Sequence, residues 1–220
     1  MPSLTVENYL KTIYQISNDT DGEPAATGKI AGALGVSPGT VTSMLKTLNE
    51  SSLAAYTPYG GVKLTDAGQA LAMRVVRRHR LIELFLVTTL GLSWDEVHEE
   101  AENMEHAVSD RLIDHIDECL GRPEVDPHGD PIPKADGSMR KMRGRSLSAC
   151  TDGDAFRLTR VKDQSADFLR YLSDNGLSLG ARGHVVSNSD EAGVVTIVVD
   201  GAETTLGLDA AAKIFVTAEE

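Results

Sequence analysis

At 220 residues, 41% of them hydrophobic, the chain is long enough for two or three small cores. No apolar run reaches transmembrane length, and the opening MPSLTVENYL has neither a basic nor an apolar leader region. Two distant cysteines, Cys119 and Cys150, make neither a disulfide framework nor a Cys-rich zinc site, so a cytoplasmic protein without membrane association is expected. The net charge of −12 argues against a nucleic-acid partner until it is divided along the chain. Residues 1–80 hold eight Lys and Arg against six Asp and Glu, residues 81–130 two against fourteen, and residues 131–220 eleven against thirteen. The acid is concentrated in the middle third, and the mildly basic first third can meet DNA without global repulsion.

Val6, Tyr9, Leu10, Ile13 and Ile16 recur at helical spacing and predict a helix over 5–17 capped by Thr5. NDTDGEP is a loop. In ATGKIAGALGVSPGTVTSMLKTLNESS, Thr27 can cap a short helix to Leu34, and Gly35 turns the chain. Ser37 can cap a second helix with Pro38 at its first position. Two short helices around a glycine turn predict a helix-turn-helix. Its second helix presents Ser37, Pro38, Gly39, Thr40, Thr42, Ser43 and Lys46 to DNA. LAAYTPYGGVKLTDAG then predicts a hairpin turning at Tyr59-Gly60-Gly61. A hairpin in that place is a wing, with Tyr59 and Lys63 near the DNA backbone. An ordinary helical hairpin is the alternative for the first half alone.

Thr65 can cap a long helix over about 66–90, ended by Gly91. It places His79 and Glu83 on one face. Ser93-Trp94-Asp95-Glu96 reads as a capping box for a further helix, on which His98, Glu102, Glu105 and His106 fall at i, i+4, i+7 and i+8. Imidazoles and carboxylates so phased are the donor set of a manganese-, iron- or zinc-type ion. Solvated ion pairs on acidic helix faces are the alternative. A helix over 110–120 carries Leu112, Ile113 and Ile116 which, with Leu84 and Phe85, offer a surface for self-association. The stretch 121–145 is rich in Gly and Pro, then basic, and reads as a structured loop and linker. Its His128 is expected to be a solvent or packing histidine. From Ser146 the pattern is β, with AFRLTRV, ARGHVVS and GVVTIVVDGAETTL as strands, Asp200-Gly201 as a type I′ turn and a short helix near 166–175. The expected fold is mostly α with a small β domain of SH3-like type. Its parts are a winged helix-turn-helix (1–72), a helical metal-binding and dimerisation domain (73–138), a linker (139–145) and the SH3-like domain (146–220).

On ENYLKTIY (7–14), the winged helix-turn-helix, RRHRLIELFL (77–86), VHEEAENMEHAVSD (97–110) and DPHGDPIP (126–133), the chain resembles the diphtheria toxin repressor family of metal-dependent repressors, which includes iron and manganese regulators. The final segment is similar to that family's FeoA-type domain. The resemblance implies two metal sites per subunit. One would use Glu102, Glu105 and His106 with Asn8 from the first helix. The other would use His79, Glu83 and His98 with a group from the SH3-like domain, for which Asp167 is the candidate and Asp163 or Gln164 stand behind it. Iron-type members carry Cys where this chain has Glu102; the harder carboxylate leans the site toward Mn²⁺, with Fe²⁺ remaining open and Zn²⁺, Co²⁺ or Ni²⁺ as surrogates. Manganese-type members usually carry Asp where this chain has the neutral Asn8. Glu7 is expected to point off the face. Lys11 stands where some members have an acid that bridges two ions, so two separated sites are expected.

The resemblance implies a homodimeric repressor on a palindromic operator in double-stranded DNA, with metal as corepressor and metal-uptake genes as targets. A metal-independent winged-helix regulator whose SH3-like domain binds a protein partner is the first rival. A helical metalloenzyme of the di-iron type is the second, but the paired Glu-x-x-His repeats it needs are absent.

Overall fold

A computed structural model describes residues 3–20 and 22–219. The described residues form two compact units. One comprises the chain up to His79 together with Glu105–Val108 and Pro133–Ser138; the other comprises Arg80–Met104, Ser109–Ile132 and the chain from Met139 onward.

The first unit is a winged helix-turn-helix. Helix α1 (Leu4–Asp19) begins one residue earlier than Thr5 predicts, because Ser3 is the cap and its hydroxyl accepts the Val6 N–H. Helix α2 (Thr27–Leu34) includes Thr27 as its first residue, and Gly35 at φ +64° turns the chain into α3 (Pro38–Glu50). Strands β1 (Ala54–Thr57) and β2 (Gly61–Leu64) pair antiparallel as the wing. Leu10, Ile13, Ile30, Val41, Leu45, Leu48 and Val62 fill the core beneath them. The helical periodicity of the sequence is the inner face of that core. Helix α4 (Asp66–Leu90) is capped by the Thr65 hydroxyl, which accepts the Gly68 N–H. Gly68 is required there, since a Cβ would lie 1.9 Å from the Leu53 carbonyl oxygen.

In the second unit, α5 runs only Val97–Met104, so Glu105 and His106 lie beyond its end and the common helical face expected for 98–106 does not extend to them. The Ser93 N–H donates to the Glu96 carboxylate, and so does the Ser93 hydroxyl. That is half of a capping box, because a turn over 94–96 separates Ser93 from the helix. Helix α6 (Asp110–Cys119) is capped by Ser109. Of the residues expected to offer a self-association surface, Leu112 is exposed, Leu84 and Phe85 are half-buried, and Ile113 and Ile116 are buried.

The SH3-like domain is a six-stranded antiparallel sheet. Its strands are β3 (Arg145–Ser146), β4 (Ala155–Val161), β5 (Arg182–Ser189), β6 (Val194–Val199), β7 (Ala202–Gly207) and β8 (Ile214–Ala218), in the order β3-β8-β4-β5-β6-β7. Helix α7 (Ala166–Asp174) and the short α8 (Leu208–Ala211) accompany it. Positive φ at both Asp200 and Gly201 gives the expected type I′ hairpin. Two strands lie outside those expected from the sequence: β3, only two residues long, and β8, which joins β3 to β4 and alternates buried with less buried positions.

Candidate metal centres and DNA-binding surface

Helix α3 starts with Ser37 accepting the Thr40 N–H at 3.2 Å, and Pro38 follows at the first helical position. Ser37, Pro38, Gly39, Thr40, Ser43 and Lys46 are exposed, whereas Thr42 is half-buried and its hydroxyl donates to the Pro38 carbonyl. The wing tip carries a fully exposed Tyr59 at φ +63°, and Lys63 projects from β2. Between helix and wing lies a cavity of about 590 Å³ lined by Thr42, Lys46, Tyr56 and Tyr59 among others. Hydroxyls and one ammonium beside a projecting wing suit phosphate contacts and base edges.

Buried charge in the first unit centres on Glu105, which is fully buried. Its carboxylate accepts from the Lys11 ammonium at 3.0 and 2.8 Å, and His79 Nδ1 lies 2.6 Å from it. His106 Nε2 is 3.2 Å from Glu105 Oε1, and His106 Nδ1 is 2.7 Å from Glu7 Oε2. The Arg78 guanidinium stands 3.6 Å from the other Glu7 oxygen. Glu7 therefore does not point off the face: it is the buried α1 carboxylate that meets His106. The reason is helical geometry, since Glu7 and Lys11 are one turn apart and share the face that reaches this cluster. Asn8, half-buried beside them, makes no side-chain hydrogen bond among the described residues.

In the second unit Glu83 is fully buried on α4. One of its oxygens is 3.2 Å from His98 Nδ1 and the other 3.8 Å from His128 Nδ1. His98 Nε2 is 3.8 Å from Glu102, which is about half exposed. His128, expected to be a solvent or packing histidine, is fully buried, and its Nε2 lies 2.8 Å from the Trp94 carbonyl. A carbonyl only accepts, so Nε2 carries the proton and the neutral ring's Nδ1 keeps a lone pair. That Nδ1 has no hydrogen-bond partner, and neither has Oδ2 of the buried Asp126. Asp126 Oδ1 accepts the N–H groups of His128 and Asp130, which fixes the loop. Burial, with Asp130 and Glu83 nearby, pushes the Asp126 carboxyl well above the usual carboxylate range. Ligand atoms of Glu83, Asp126 and His128 lie within 4.8 Å of one another. Arg80 Nε stands 3.5 Å from Asp126 Oδ2, an ion-pair contact longer than a hydrogen bond. Two buried polar atoms without hydrogen bonds beside a second carboxylate, Glu83, are a donor arrangement that a divalent cation can satisfy.

The loop bearing His128 is clamped from several sides. Gly129, at φ +86°, passes so close to β4 that a Cβ would fall 2.1 Å from the Thr159 carbonyl oxygen. The Val161 N–H donates to the His128 carbonyl. Arg160 and Gln164 both bind Asp130, and Arg80 reaches the Pro131 carbonyl. Asp167 is not brought to this cluster. Its carboxylate is 95% exposed and pairs with Arg170, because α7 turns Leu169 and Leu172 inward and Asp167 outward. Asp163 is taken by Lys213. Asp126 and His128 are thus the residues that spacing arguments passed over. Their signal was a carboxylate and an imidazole two apart in a loop held by Gly and Pro.

Residues 65–134 match the sequence profile described as the iron dependent repressor metal binding and dimerisation domain, and residues 1–62 match the N-terminal DNA binding domain of the same repressors. The chain belongs to the iron-dependent repressor family. Residues 145–218 match the FeoA domain. The chain is 31% identical to the iron-dependent repressor IdeR of Mycobacterium leprae over 90% of each chain, and 28% identical to the diphtheria toxin repressor of Corynebacterium glutamicum over 92% of this chain and 91% of that one. Among solved structures it is similar to a manganese-dependent transcriptional repressor in complex with manganese, at 42% identity and a TM-score of 0.86, covering 97% of this chain and 100% of that one. It is also similar to ScaR with bound Zn²⁺, at 34% identity and a TM-score of 0.81, over 98% and 99% of the two chains. Members of the family are metal-dependent, DNA-binding transcriptional repressors and not enzymes. No helix among the described residues is long and apolar enough to cross a membrane.

Proposed function

We propose that this family member is a cytoplasmic, homodimeric repressor of metal-ion uptake genes, with Mn²⁺ or Fe²⁺ as corepressor. The carrying observation is the Glu83–Asp126–His128 cluster, in which two buried atoms, Asp126 Oδ2 and His128 Nδ1, make no hydrogen bond. Glu83, Asp126 and His128 would hold the ion, with His98 on the remaining side of Glu83. The ion would add to the positive charge that Arg80 already brings within 3.5 Å of Asp126. Imidazoles and carboxylates without a thiolate are a comparatively hard donor set. Such a set favours Mn²⁺ or Fe²⁺ and admits Zn²⁺, Co²⁺ or Ni²⁺ as surrogates. Glu105 and His106 are the candidate ligands of a second centre in the first unit, where α1 offers Glu7 and the neutral Asn8. His79 lies against Glu105 in the first unit, so we assign it to that centre.

The exposed face of α3 reads the major groove of a palindromic operator, and Tyr59 and Lys63 of the wing hold its backbone. By linkage, DNA raises metal affinity by the same factor as metal raises DNA affinity. The test is fluorescence anisotropy on the upstream DNA of the chain's own gene, at fixed salt, in chelator and then with Mn²⁺, anaerobic Fe²⁺ or Zn²⁺. Binding that requires Mn²⁺ or Fe²⁺ is expected. Equal binding in chelator would overturn the corepressor reading in favour of a metal-independent winged-helix regulator.

A further inference from the structure

The two candidate carboxylate centres differ in what already neutralises them. In the Glu83–Asp126–His128 group, Asp126 Oδ2 and His128 Nδ1 make no hydrogen bond, and the guanidinium nitrogen Arg80 Nε stands 3.5 Å from Asp126 Oδ2. The Glu105 group is held more closely. Both oxygens of Glu105 are within hydrogen-bonding distance of one ammonium, Lys11 Nζ, which also lies 3.1 Å from His79 Nδ1. Lys11 is buried, so this is no surface pair swinging through solvent.

We propose that Lys11 is a resident cation at this centre: its ammonium occupies the position against Glu105 and His79 that a divalent ion would take. The inference rests on the proposed reading of Glu105 and His106 as ligands of a second metal centre. The ammonium is held at 2.8–3.1 Å by the same atoms that a transition-type ion would bind at roughly 2.0–2.2 Å. Both cations do not fit there together, and their like charges repel at low dielectric. As built, the donor set therefore does not fit a divalent ion. The rest of the cluster is also complete without one, since His106 is held by Glu7 and Glu7 by Arg78.

Two consequences follow. Helix α1 is tied to Glu105 in the absence of metal, by a covalently supplied charge that no chelator removes. Tight metal binding is then confined to the Glu83–Asp126–His128 cluster, giving one tight ion per subunit where a family member without this lysine would hold two. Lys11 is in this sense a specificity-determining residue: it sets how many ions the repressor counts.

The experiment is titration calorimetry of the full chain with Mn²⁺, comparing wild type, Lys11→Arg, Lys11→Gln and His128→Ala. The wild type is expected to take one tight ion per subunit, and His128→Ala none. Lys11→Arg keeps the wild-type count. Lys11→Gln, which keeps a donor to Glu105 but loses the charge, gains a second ion at least tenfold tighter than any second event in the wild type. Two ions of similar affinity in the wild type, or no gain in Lys11→Gln, would overturn the proposal. Should Lys11→Gln fail to fold, amide hydrogen exchange of wild-type α1 in chelator decides. Protection without metal supports the resident cation, and protection that appears only with Mn²⁺ refutes it. Loss of metal-dependent DNA binding would defeat the corepressor reading while leaving the ion count intact, so the two fail separately.

Discussion

Lys11 and Glu105 are 94 residues apart in the sequence and 2.8 Å apart in the fold, both out of solvent. Removing one partner of such a pair strands the other as an unpaired buried charge. That costs about 3–5 kcal/mol, whereas a solvated pair costs about 0–1 kcal/mol. Lys11→Met should therefore lower the stability of the first unit by several kcal/mol in urea unfolding with chelator present. Adding Glu105→Leu should restore most of the loss. A single-mutant loss below about 1 kcal/mol would show that the pair is effectively solvated.

Trp94 is the chain's one tryptophan, and it reports on the second-unit cluster without a label. Its ring is stacked on His128 with centroids 6.1 Å apart, its carbonyl faces His128 Nε2, and its Nε1 donates to Ser173. A cation on His128 Nδ1 polarises the imidazole against the indole. Mn²⁺ should therefore change the tryptophan emission in wild type and leave it unchanged in His128→Ala. Emission that stays constant through Mn²⁺ saturation would place the ion elsewhere.

Gly129 decides whether His128 is presented at all. Alanine there must hold φ near +86° and push its Cβ into the Thr159 carbonyl. The left-handed conformation alone costs of order 1–3 kcal/mol, and the steric conflict displaces the loop. Gly129→Ala should weaken Mn²⁺ binding in calorimetry while leaving the far-UV circular dichroism of the winged helix intact. Wild-type affinity in that variant would mean that the loop position is irrelevant to the site.

Those three residues also show what the sequence could and could not carry. The Ser37-Pro38 start of α3, the Gly35 turn and the Asp200-Gly201 hairpin were legible because each is decided within one turn of chain. The pairing of Glu83 with His98 was legible as phased ligands on two helices. Glu7 is the residue misjudged on α1, because its partners His106 and Arg78 come from distant segments and one-dimensional spacing says nothing about which face a distant segment covers. Helical phasing also over-reached, since it carried α5 through Glu105 and His106, whereas the helix stops at Met104. His128 reads as a loop histidine until Gly129 and Val161 draw the loop onto β4 and bury it.

Acid should loosen the SH3-like domain through Asp154. The Thr151 N–H and hydroxyl both donate to its carboxylate, and Arg145 adds a third donor, which together hold its carboxyl below the usual carboxylate range. A carboxyl whose pKa is lower folded than unfolded contributes stability that is present above the unfolded value, about 3.9, and is lost as pH falls through the folded value. Wild type should therefore exceed Asp154→Asn in thermal stability at pH 7, and the gap should close as pH drops below about 4. A gap that persists unchanged into acid would assign the stabilisation to packing instead of charge.

Lys46 on the recognition helix and Lys63 on the wing are the exposed ammoniums of the DNA-binding face. Each is expected to neutralise one phosphate, which is sequence-independent work. Each phosphate contact contributes about 0.9 to the slope of log affinity against log salt. Lys46→Ala and Lys63→Ala should each weaken operator and non-operator DNA alike and lower that slope by about 1. Thr40→Ala, at the exposed start of α3, should instead reduce discrimination between operator and mutated operator, by about 1–3 kcal/mol if its hydroxyl meets a base edge, with the salt slope unchanged. Anisotropy titrations at several salt concentrations separate the two effects. If Lys63→Ala left the slope untouched, the wing would stand clear of the phosphates. The mildly basic charge of residues 1–80 would then act through α3 and the ends of its neighbouring helices.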